Sequence, residues 1–254
     1  MELGKDVARS GYRLEHFEQL GSTNDEAASR VASGDPGRLW IVADRQLSGR
    51  GRLGRVWVSP PGNLYASLLL IEPCAREKAP QLGFVAGVAL ADALRTLLGG
   101  DRRLALKWPN DALYDGAKLS GLLLESFSGA NAPFACVIGF GVNCETHPED
   151  TPYPATDLKR IGARGADRDA VLAALSDTLA HWLDQWARGD NFPAIRRAWL
   201  DVAGGLDAPA KVERNGNVMV GTFRGIDAQG RMLLERADGI VDTIEAGDFS
   251  FAPQ

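Results

Sequence analysis

The sequence predicts an α/β fold followed by a small all-β domain. Over the first 205 residues, short apolar runs typical of buried strands alternate with segments of helical apolar spacing. From about Leu206 the apolar residues recur at every second position and turn dipeptides interrupt them. A length of 254 residues accommodates one large core and a small one. We therefore divide the chain into residues 1–205 and residues 206–254.

Four helices are predicted, over residues 22–34, 80–98, 168–188 and 192–201. The first has Thr23 as a candidate N-cap, Glu26 three positions later and Gly34 as its stop, which is the pattern of a capping box and a C-terminal glycine. The third has one apolar face, formed by Val171, Leu172, Leu175, Leu179, Trp182, Leu183 and Trp186. We assign that face to the core.

Strands are predicted over residues 38–44, 63–71, 103–108 and 133–143. The second is almost continuously apolar at its end, which indicates burial on both faces, and Pro109 ends the third. The dipeptide Asp115-Gly116 is a strong hairpin signal and adds two strands that meet there. Residues 145–167 contain three prolines and no clear period. A loop of that length is typically either a functional lid or a disordered stretch.

The end of the chain predicts a small barrel of four or five short strands. Its period-two pattern is broken at Asn215-Gly216, Gln229-Gly230 and Asp238-Gly239. Such dipeptides favour the tight turns that join antiparallel strands.

Composition indicates a globular protein of the cytoplasm. No apolar run approaches the roughly 18 residues of a membrane span, and the N-terminus has no apolar core of a secretory signal. Cys74, Cys136 and Cys144 form no C-x-x-C pair, so we interpret them as reduced, buried thiols and not as zinc ligands. A formal net charge of -5 argues against a general nucleic-acid binder.

The stretch GRGRLGRV, residues 49–56, combines a glycine loop with three arginines. It matches G-x-G-x-x-G, but the following VWVSPPGN cannot begin the helix that a dinucleotide-binding fold requires. The other kinase motifs are absent, and Arg55 and Val56 stand where a Walker A loop requires lysine and a hydroxyl residue. No acid occurs between Arg45 and Ile71. We expect this loop to close over a phosphate-bearing ligand, and a solvated basic face is the alternative.

Three further stretches carry candidate polar residues. KWPND ends a strand, and its Asp111 fits either a magnesium or phosphate network or a turn-stabilising role. Lys118, in KLSG, begins an apolar strand, where a buried lysine is costly unless it meets an anion. The alternative for Lys118 is a surface position. Asn143 follows two glycines and fits either a turn cap or a contact with a base edge.

These motifs, in this order, resemble the biotin protein ligases. The stretches that carry the resemblance are STN (22–24), Q-x-x-G-R-G-R-x-G-R-x-W (46–57), KWPND (107–111), KLSG (118–121), IGFGVN (138–143) and RGIDAQGRMLLE near the end. Together they span almost the whole chain. The resemblance implies a mixed-sheet catalytic domain of the biotin/lipoate ligase type and a C-terminal SH3-like barrel.

The resemblance also implies a reaction in two steps. Biotin and MgATP first give biotinyl-5'-AMP and pyrophosphate. A lysine of a biotin carboxyl carrier protein, the acetyl-CoA carboxylase subunit, then attacks the mixed anhydride.

Residue roles follow from the resemblance, position by position. Biotin contacts are expected from Ser22, Thr23, Asn24, Gln46, Gly49, Arg50, Gly51, Arg52, Lys118 and Gly121. Nucleotide contacts are expected from Arg52, Arg55, Trp57, Asn110, Asp111 and Asn143. Lys118, Arg50 and Arg52 are the expected catalytic residues, with Lys118 at the junction of acyl group and phosphate. Mg²⁺ is expected to enter with ATP, and its protein ligands are left unassigned.

Partners and alternatives complete these expectations. Only 21 residues precede Ser22, fewer than the roughly 40 of an independently stable unit, so we expect the monofunctional type without a DNA-binding domain. Neither DNA nor a membrane is an expected partner. Lipoate ligases and octanoyl transferases share the fold, but their R-R-x-G-G-G-x-V-x-H-D loop does not occur here. A nucleic-acid-binding regulator is the other alternative, and the oligomeric state is left open, with a homodimer among the states allowed.

Overall fold

The computed structural model describes residues 1–129, 132–214 and 216–251. Its helices are α1 (Lys5–Arg9), α2 (Thr23–Ala32), α3 (Gln81–Leu97), α4 (Arg168–Trp186) and α5 (Phe192–Leu200). Its strands are β1 (Arg13–Phe17), β2 (Leu39–Ala43), β3 (Leu64–Ile71), β4 (Leu104–Lys107), β5 (Asp111–Tyr114), β6 (Ala117–Gly129), β7 (Ala132–Val142), β8 (Pro209–Arg214), β9 (Asn217–Ile226), β10 (Met232–Glu235), β11 (Val241–Ile244) and β12 (Asp248–Phe251). The predicted helices and strands of the first domain are confirmed, with small shifts at their ends. No sequence pattern had predicted α1 and β1.

Seven strands form one mixed sheet in the order β1-β2-β3-β7-β6-β5-β4. β1 and β2 are parallel, and the other neighbours are antiparallel. The predicted hairpin joins β5 to β6, and its Asp115 and Gly116 have left-handed φ angles of 50° and 77°. That backbone suits a tight turn. The mixed sheet implied by the resemblance is confirmed.

The two faces of this sheet have different covers. One face packs against α3 and α4 in the main core, which includes Leu68 and Ile138. On the opposite face, α2 covers the half that contains Leu69 and Val137. β3 is therefore buried on both faces, as predicted. Helix α2 does not cover the other half of this sheet face, which includes β5 and β4. The candidate site lies on that half.

Helix α2 begins one residue earlier than the capping pattern predicted. Its N-cap is Ser22, whose hydroxyl accepts from the backbone N–H three residues on, at 3.4 Å. Thr23 is already helical, and its N–H and hydroxyl bond to Oε1 of Gln46 at 2.9 and 3.1 Å. Glu26 pairs with Arg30 at 2.8 Å. The N-cap prediction for Thr23 was wrong because a partner distant in sequence occupies its hydroxyl.

The last five strands form an antiparallel sheet in the order β11-β10-β9-β8-β12, as the period-two pattern predicted. Gly230 and Gly239 have φ angles of 83° and 82°, which fits two of the predicted turns. In the remaining predicted turn, Asn215-Gly216, Asn215 lies outside the described residues. The indole N–H of Trp108, just after β4, donates to the carbonyl of Gly230 at 3.3 Å. The hydrophobic core is continuous between the two sheets and includes Phe223 of β9.

The three cysteines are free and buried, as predicted. Burial raises the pKa of Cys136 and that of Cys144 to about 12, so both thiols are protonated at neutral pH. Within the ranges that the structure describes, none of the helices combines the length and the apolar character that a membrane crossing requires.

Candidate active site

One cross-strand row forms the floor of the candidate site. Lys107 on β4 lies opposite Asp111 on β5. Asp111 lies opposite Gly121 on β6, which in turn lies opposite Gly141 on β7. Residues directly opposite in neighbouring strands project to the same face of a sheet. The row therefore presents two charged side chains and two bare glycine positions on the face that α2 covers only in part.

The arginine loop, residues 49–57, folds back on itself over this floor. The N–H of Gly51 donates to the carbonyl of Arg55 at 2.7 Å and closes the loop. At its tip, Leu53 and Gly54 have left-handed φ angles of 57° and 71°. Gly49 has no room for a side chain, because a Cβ there would lie 2.6 Å from the carbonyl oxygen of Trp57. Gly49 and Gly54 are thus required by the loop itself.

Trp57 is the side chain of the loop that packs on the floor. A Cβ at Gly141 would lie 2.4 Å from Cε2 of the indole, and a Cβ at Gly121 would lie 2.9 Å from Cζ3. The two glycines therefore provide the space that the indole fills. Nζ of Lys118 lies 5.5 Å from the centre of the Trp57 ring and 5.2 Å from that of Tyr153. Both rings attract a cation at that distance.

Asp111 is shared by two lysines. Nζ of Lys118 lies 2.7 Å from Oδ1 of Asp111, and Nζ of Lys107 lies 3.9 Å from Oδ2. The three side chains are only 14–19% exposed. The contact with Lys118 is an ion pair without hydrogen-bond geometry, so Oδ1 is a buried carboxylate oxygen that accepts no hydrogen bond from the described residues. Lys118 thus meets the anion that its buried position requires.

Arg50 is held by carboxylates of the protein. Its two terminal nitrogens each donate to Asp25 at 2.6 Å, and Nη2 lies 3.6 Å from Oε1 of Glu125. The hydrogen bonds from Arg50 hold the pKa of Asp25 below its usual value. A contact of Arg50 with an anionic ligand, as the resemblance implies, requires this pair to open or to be shared.

The other two arginines point in different directions. Nη1 of Arg52 donates to Oδ1 of Asn110 at 3.2 Å, and burial lowers the pKa of Arg52. Nδ2 of Asn110 is fixed by the carbonyl of Leu122 at 2.7 Å. Arg55 forms an ion pair with Asp248 on β12 of the small domain. The acid-free stretch of sequence is therefore only partly a free cationic surface, because acids from α2 and β12 reach it.

A buried polar network lies beside the floor, at the start of α2. Oγ of Ser67 lies 2.7 Å from Oγ1 of Thr23 and 2.6 Å from Oδ1 of Asn24. Nδ2 of Asn24 donates to Oε2 of Glu125 at 2.7 Å. A Cβ at Gly139 would lie 2.3 Å from Oδ1 of Asn24. The missing side chain of Gly139 therefore makes room for this network.

The long loop predicted over residues 145–167 borders the site on the Lys118 side. The N–H of Lys118 donates to the carbonyl of Pro154 at 2.8 Å, and its carbonyl accepts from the N–H of Thr156 at 2.9 Å. Nδ2 of Asn143 donates to the carbonyl of Thr156 at 3.0 Å. Residues 154–156 are thus fixed against the start of β6. Of the two alternatives for this loop, the fixed segment fits a functional element and does not fit a disordered stretch.

Comparison with known proteins identifies the family. The model of the biotin/lipoate A/B protein ligase family matches residues 17–143, half of the chain, and that of the biotin protein ligase C-terminal domain matches residues 209–252. Biotin–[acetyl-CoA-carboxylase] ligase of Paracoccus denitrificans is 37% identical in an alignment of 226 positions that covers 86% of this chain and 92% of that protein. The chain belongs to the biotin/lipoate A/B protein ligase family.

Two further relatives extend this finding. Biotin–[acetyl-CoA-carboxylase] ligase of Mycobacterium tuberculosis is 32% identical over 95% of this chain and 90% of that protein. The solved structure of biotin protein ligase from Aquifex aeolicus in complex with biotin and ATP has a TM-score of 0.79 and 27% identity, over 95% of this chain and 99% of that one. The similarity of this family member to biotin ligases thus spans both of its sheets.

The fold of this family member gathers most of the predicted site residues on one face. Those on or over the floor, or in the polar network beside it, are Thr23, Asn24, Gln46, Gly49, Gly51, Arg52, Trp57, Asn110, Asp111, Lys118 and Gly121. The other four have partners that the motifs did not reveal: Ser22 caps α2, Arg50 meets Asp25, Arg55 meets Asp248 and Asn143 bonds to Thr156. The roles of all of them toward biotin and nucleotide stay predictions.

Three polar residues of the site were missed in the sequence. Asp25 directly follows STN, and Glu125 is a charge at the end of an apolar run, so each carried a weak signal. Ser67 is an uncharged residue inside a buried strand, and nothing in its surroundings indicated a polar contact.

Proposed function

We propose that this family member is a biotin protein ligase, which activates biotin with ATP and transfers it to a lysine of a biotin carboxyl carrier protein. The observation that carries the proposal is the row from Gly141 to Lys107. At one end of this row, Gly141 and Gly121 lie under the indole of Trp57. At the other end, the ammonium groups of Lys118 and Lys107 both contact Asp111. This order suits a ligand with an apolar ring, then a carboxylate, then phosphates. The Aquifex aeolicus relative in complex with biotin and ATP supports both substrates.

In the first step, a carboxylate oxygen of biotin attacks the α-phosphorus of ATP. A new P–O bond forms, the bond from the α-phosphorus to the bridging oxygen breaks, and pyrophosphate leaves with the electron pair. Two anions must meet for this to happen, so fixed cations in a dry site lower the barrier. Lys118 serves as that cation in our proposal, because its ammonium is desolvated and held by Asp111.

The neighbouring residues position the two substrates in our proposal. Arg52, fixed by Asn110, supports the phosphate side of the anhydride through charge-assisted hydrogen bonds. The ureido ring of biotin has one carbonyl and two N–H groups to satisfy. The network of Thr23, Asn24 and Gln46 provides donors and acceptors for them. In our proposal Trp57 also supplies an apolar wall beside the biotin ring, in addition to the nucleotide contact that its motif implies.

In the second step, the neutral ε-amine of the carrier lysine attacks the carbonyl carbon of the anhydride. The C–N bond forms, the bond from that carbon to the phosphate oxygen breaks, AMP leaves, and the nitrogen loses a proton. The amine must reach the junction, so the arginine loop has to admit the carrier while it retains the adenylate.

Magnesium enters with ATP in our proposal. Among the described residues, no three His, Cys, Asp or Glu side chains cluster into a metal cage. Oδ1 of Asp111 is a buried carboxylate oxygen that accepts no hydrogen bond but pairs with the ammonium of Lys118 at 2.7 Å, so a metal ion would share the carboxylate with that lysine. It fits a single protein ligand, because Mg²⁺ at nucleotide sites takes one or two carboxylates and completes its shell with phosphates and water. Bound there, the ion would neutralise phosphate charge.

We also propose an acceptor protein, a cellular compartment, a domain division and an oligomeric state for the enzyme. The names of the relatives support the acetyl-CoA carboxylase carrier as the acceptor. We propose the cytoplasm as its compartment, a division into residues 1–205 and 206–254, and a homodimer as the oligomeric state to test first.

The test is biotinylation of a carrier protein, followed by mass spectrometry. The protein is incubated with ATP, Mg²⁺ and the carrier, in parallel with biotin, with lipoate or with neither. We expect one added biotin per carrier, on lysine, only in the reaction with biotin. Modification by lipoate in place of biotin would assign the chain to the other branch of its family.

A further inference from the structure

Lys107 lies on the floor of the site, but no specific contact of its own with a ligand follows from the motifs. It belongs to KWPND, but the resemblance assigned functions only to Asn110 and Asp111 of that motif. Its side chain is 19% exposed, and its ammonium lies 3.9 Å from Asp111, beyond hydrogen-bond distance. The other oxygen of the same carboxylate lies 2.7 Å from Lys118. One carboxylate is thus shared by two largely buried ammonium groups.

The charges around Lys107 are predominantly positive. The interacting cluster consists of the cations Arg52, Arg55, Lys107 and Lys118 and the carboxylates Asp111 and Asp248. Four positive charges against two negative ones leave an excess of two. The side chains of Lys107 and Lys118 are only 19% and 16% exposed, so water screens this excess of positive charge poorly. An anion with more than one negative charge would supply what this cluster lacks.

The position of Lys107 along the floor indicates which part of a ligand it meets. The polar network proposed for the biotin ring lies toward β3 and β7, and Lys118 lies at the proposed junction. Lys107 is on the edge strand β4, two strands from Gly121, or about 10 Å at the usual strand spacing. In an in-line displacement the leaving group departs on the side opposite the nucleophile. With biotin on the β7 side, that direction points to β4.

We propose that Lys107 binds the β- and γ-phosphates of ATP and the departing pyrophosphate. The inference rests on the proposed function and extends it to a residue outside the assigned set. As the bond between the α-phosphorus and the bridging oxygen breaks, that oxygen keeps the electron pair. The ammonium of Lys107 stabilises the added charge through hydrogen bonds to phosphate oxygens. No proton moves to or from Lys107 in this step.

The test measures binding of inorganic pyrophosphate, AMP and biotin by calorimetry to the wild-type protein and to Lys107→Gln and Lys107→Arg. We expect Lys107→Gln to weaken pyrophosphate binding about tenfold or more and to leave AMP and biotin within about twofold. Lys107→Arg should restore most of the pyrophosphate affinity, because it keeps the charge. The matched control is Lys159→Gln, which removes an exposed lysine that pairs with Glu145 at 2.7 Å. It should change none of the three affinities.

Two outcomes would overturn the inference. Pyrophosphate affinity that is unchanged in Lys107→Gln would show that the ammonium does not contact the phosphates. A parallel loss of AMP and biotin affinity would show that Lys107 only supports the structure. Failure of the proposed function itself is distinguishable, because wild-type protein would then show no biotin-dependent exchange of pyrophosphate into ATP, whatever Lys107 binds.

Discussion

At the residue scale, Lys118 combines burial, an ion pair and two aromatic contacts. Lys118→Ala should slow adenylate formation about a hundredfold or more and change biotin affinity much less, because we propose that its charge acts where the acyl group and the phosphate meet. Exchange of labelled pyrophosphate into ATP reports the first quantity and biotin calorimetry the second. Lys159→Ala is the matched control. Exchange at the wild-type rate in Lys118→Ala would show that Lys118 does not act at the junction of acyl group and phosphate.

Asp111 is predicted to act on the nucleotide side. Asp111→Asn should raise the MgATP concentration for half-maximal activity about tenfold and leave biotin affinity nearly unchanged. The substitution removes the carboxylate that we propose as the metal ligand and releases Lys118 from its ion pair. Titrations of MgATP and of biotin separate the two effects. Lost biotin binding with an unaltered MgATP requirement would reverse the assignment.

Arg52 is predicted to retain the adenylate as well as to promote its formation. Its charge-assisted hydrogen bonds to phosphate would each contribute roughly 1.5–3 kcal/mol, and a loss of about 2.8 kcal/mol speeds escape roughly a hundredfold. Arg52→Gly should therefore still form biotinyl-5'-AMP but release it, so that proteins other than the carrier are biotinylated. Streptavidin blots of a bulk protein mixture provide the readout. Labelling confined to the carrier, with normal adenylate synthesis, would contradict this role.

At the element scale, the contact between the arginine loop and β7 depends on a glycine. Gly141→Ala should displace Trp57, because the added Cβ would lie 2.4 Å from the indole, and should weaken biotin binding at least tenfold. Biotin calorimetry and a thermal melt distinguish a local change from unfolding. The control is Gly83→Ala in α3, where a Cβ meets no neighbour within 4 Å and helix propensity favours alanine. Equal biotin affinity in both variants would show that Trp57 does not form the wall.

The elements themselves could be predicted from the sequence because their signals are local. Apolar periodicity, the Asp115-Gly116 turn and Pro109 located most helices and strands of the first 205 residues to within a few residues, but not α1 and β1. The motif residues converged on one face because strand ends that are distant in sequence are neighbours in the sheet. The acidic partners of Arg50 and Arg55 could not be predicted, because both lie on other segments of the chain. Asp248, the partner of Arg55, is 193 positions away from it in sequence. For the same reason the N-cap role predicted for Thr23 was wrong, because its hydroxyl bonds to the side chain of Gln46 on another segment.

At the scale of the whole molecule, the small domain reaches the candidate site through Asp248. Its ion pair with Arg55 joins β12 to the arginine loop. Asp248→Asn should loosen the loop, so trypsin should cleave after its arginines severalfold faster in the free protein. Asp238→Asn, an exposed acid of the same domain near Arg236, is the control. Equal cleavage rates in the two variants would show that the small domain does not restrain the loop.

The central claim is that one face of this sheet joins biotin to the α-phosphate of ATP. The most direct measurement is exchange of labelled pyrophosphate into ATP by the purified protein, with biotin, with lipoate and with neither. The account predicts exchange that requires both Mg²⁺ and biotin and that is absent with lipoate alone. Exchange that is independent of biotin, or no exchange with any of the three, would contradict it.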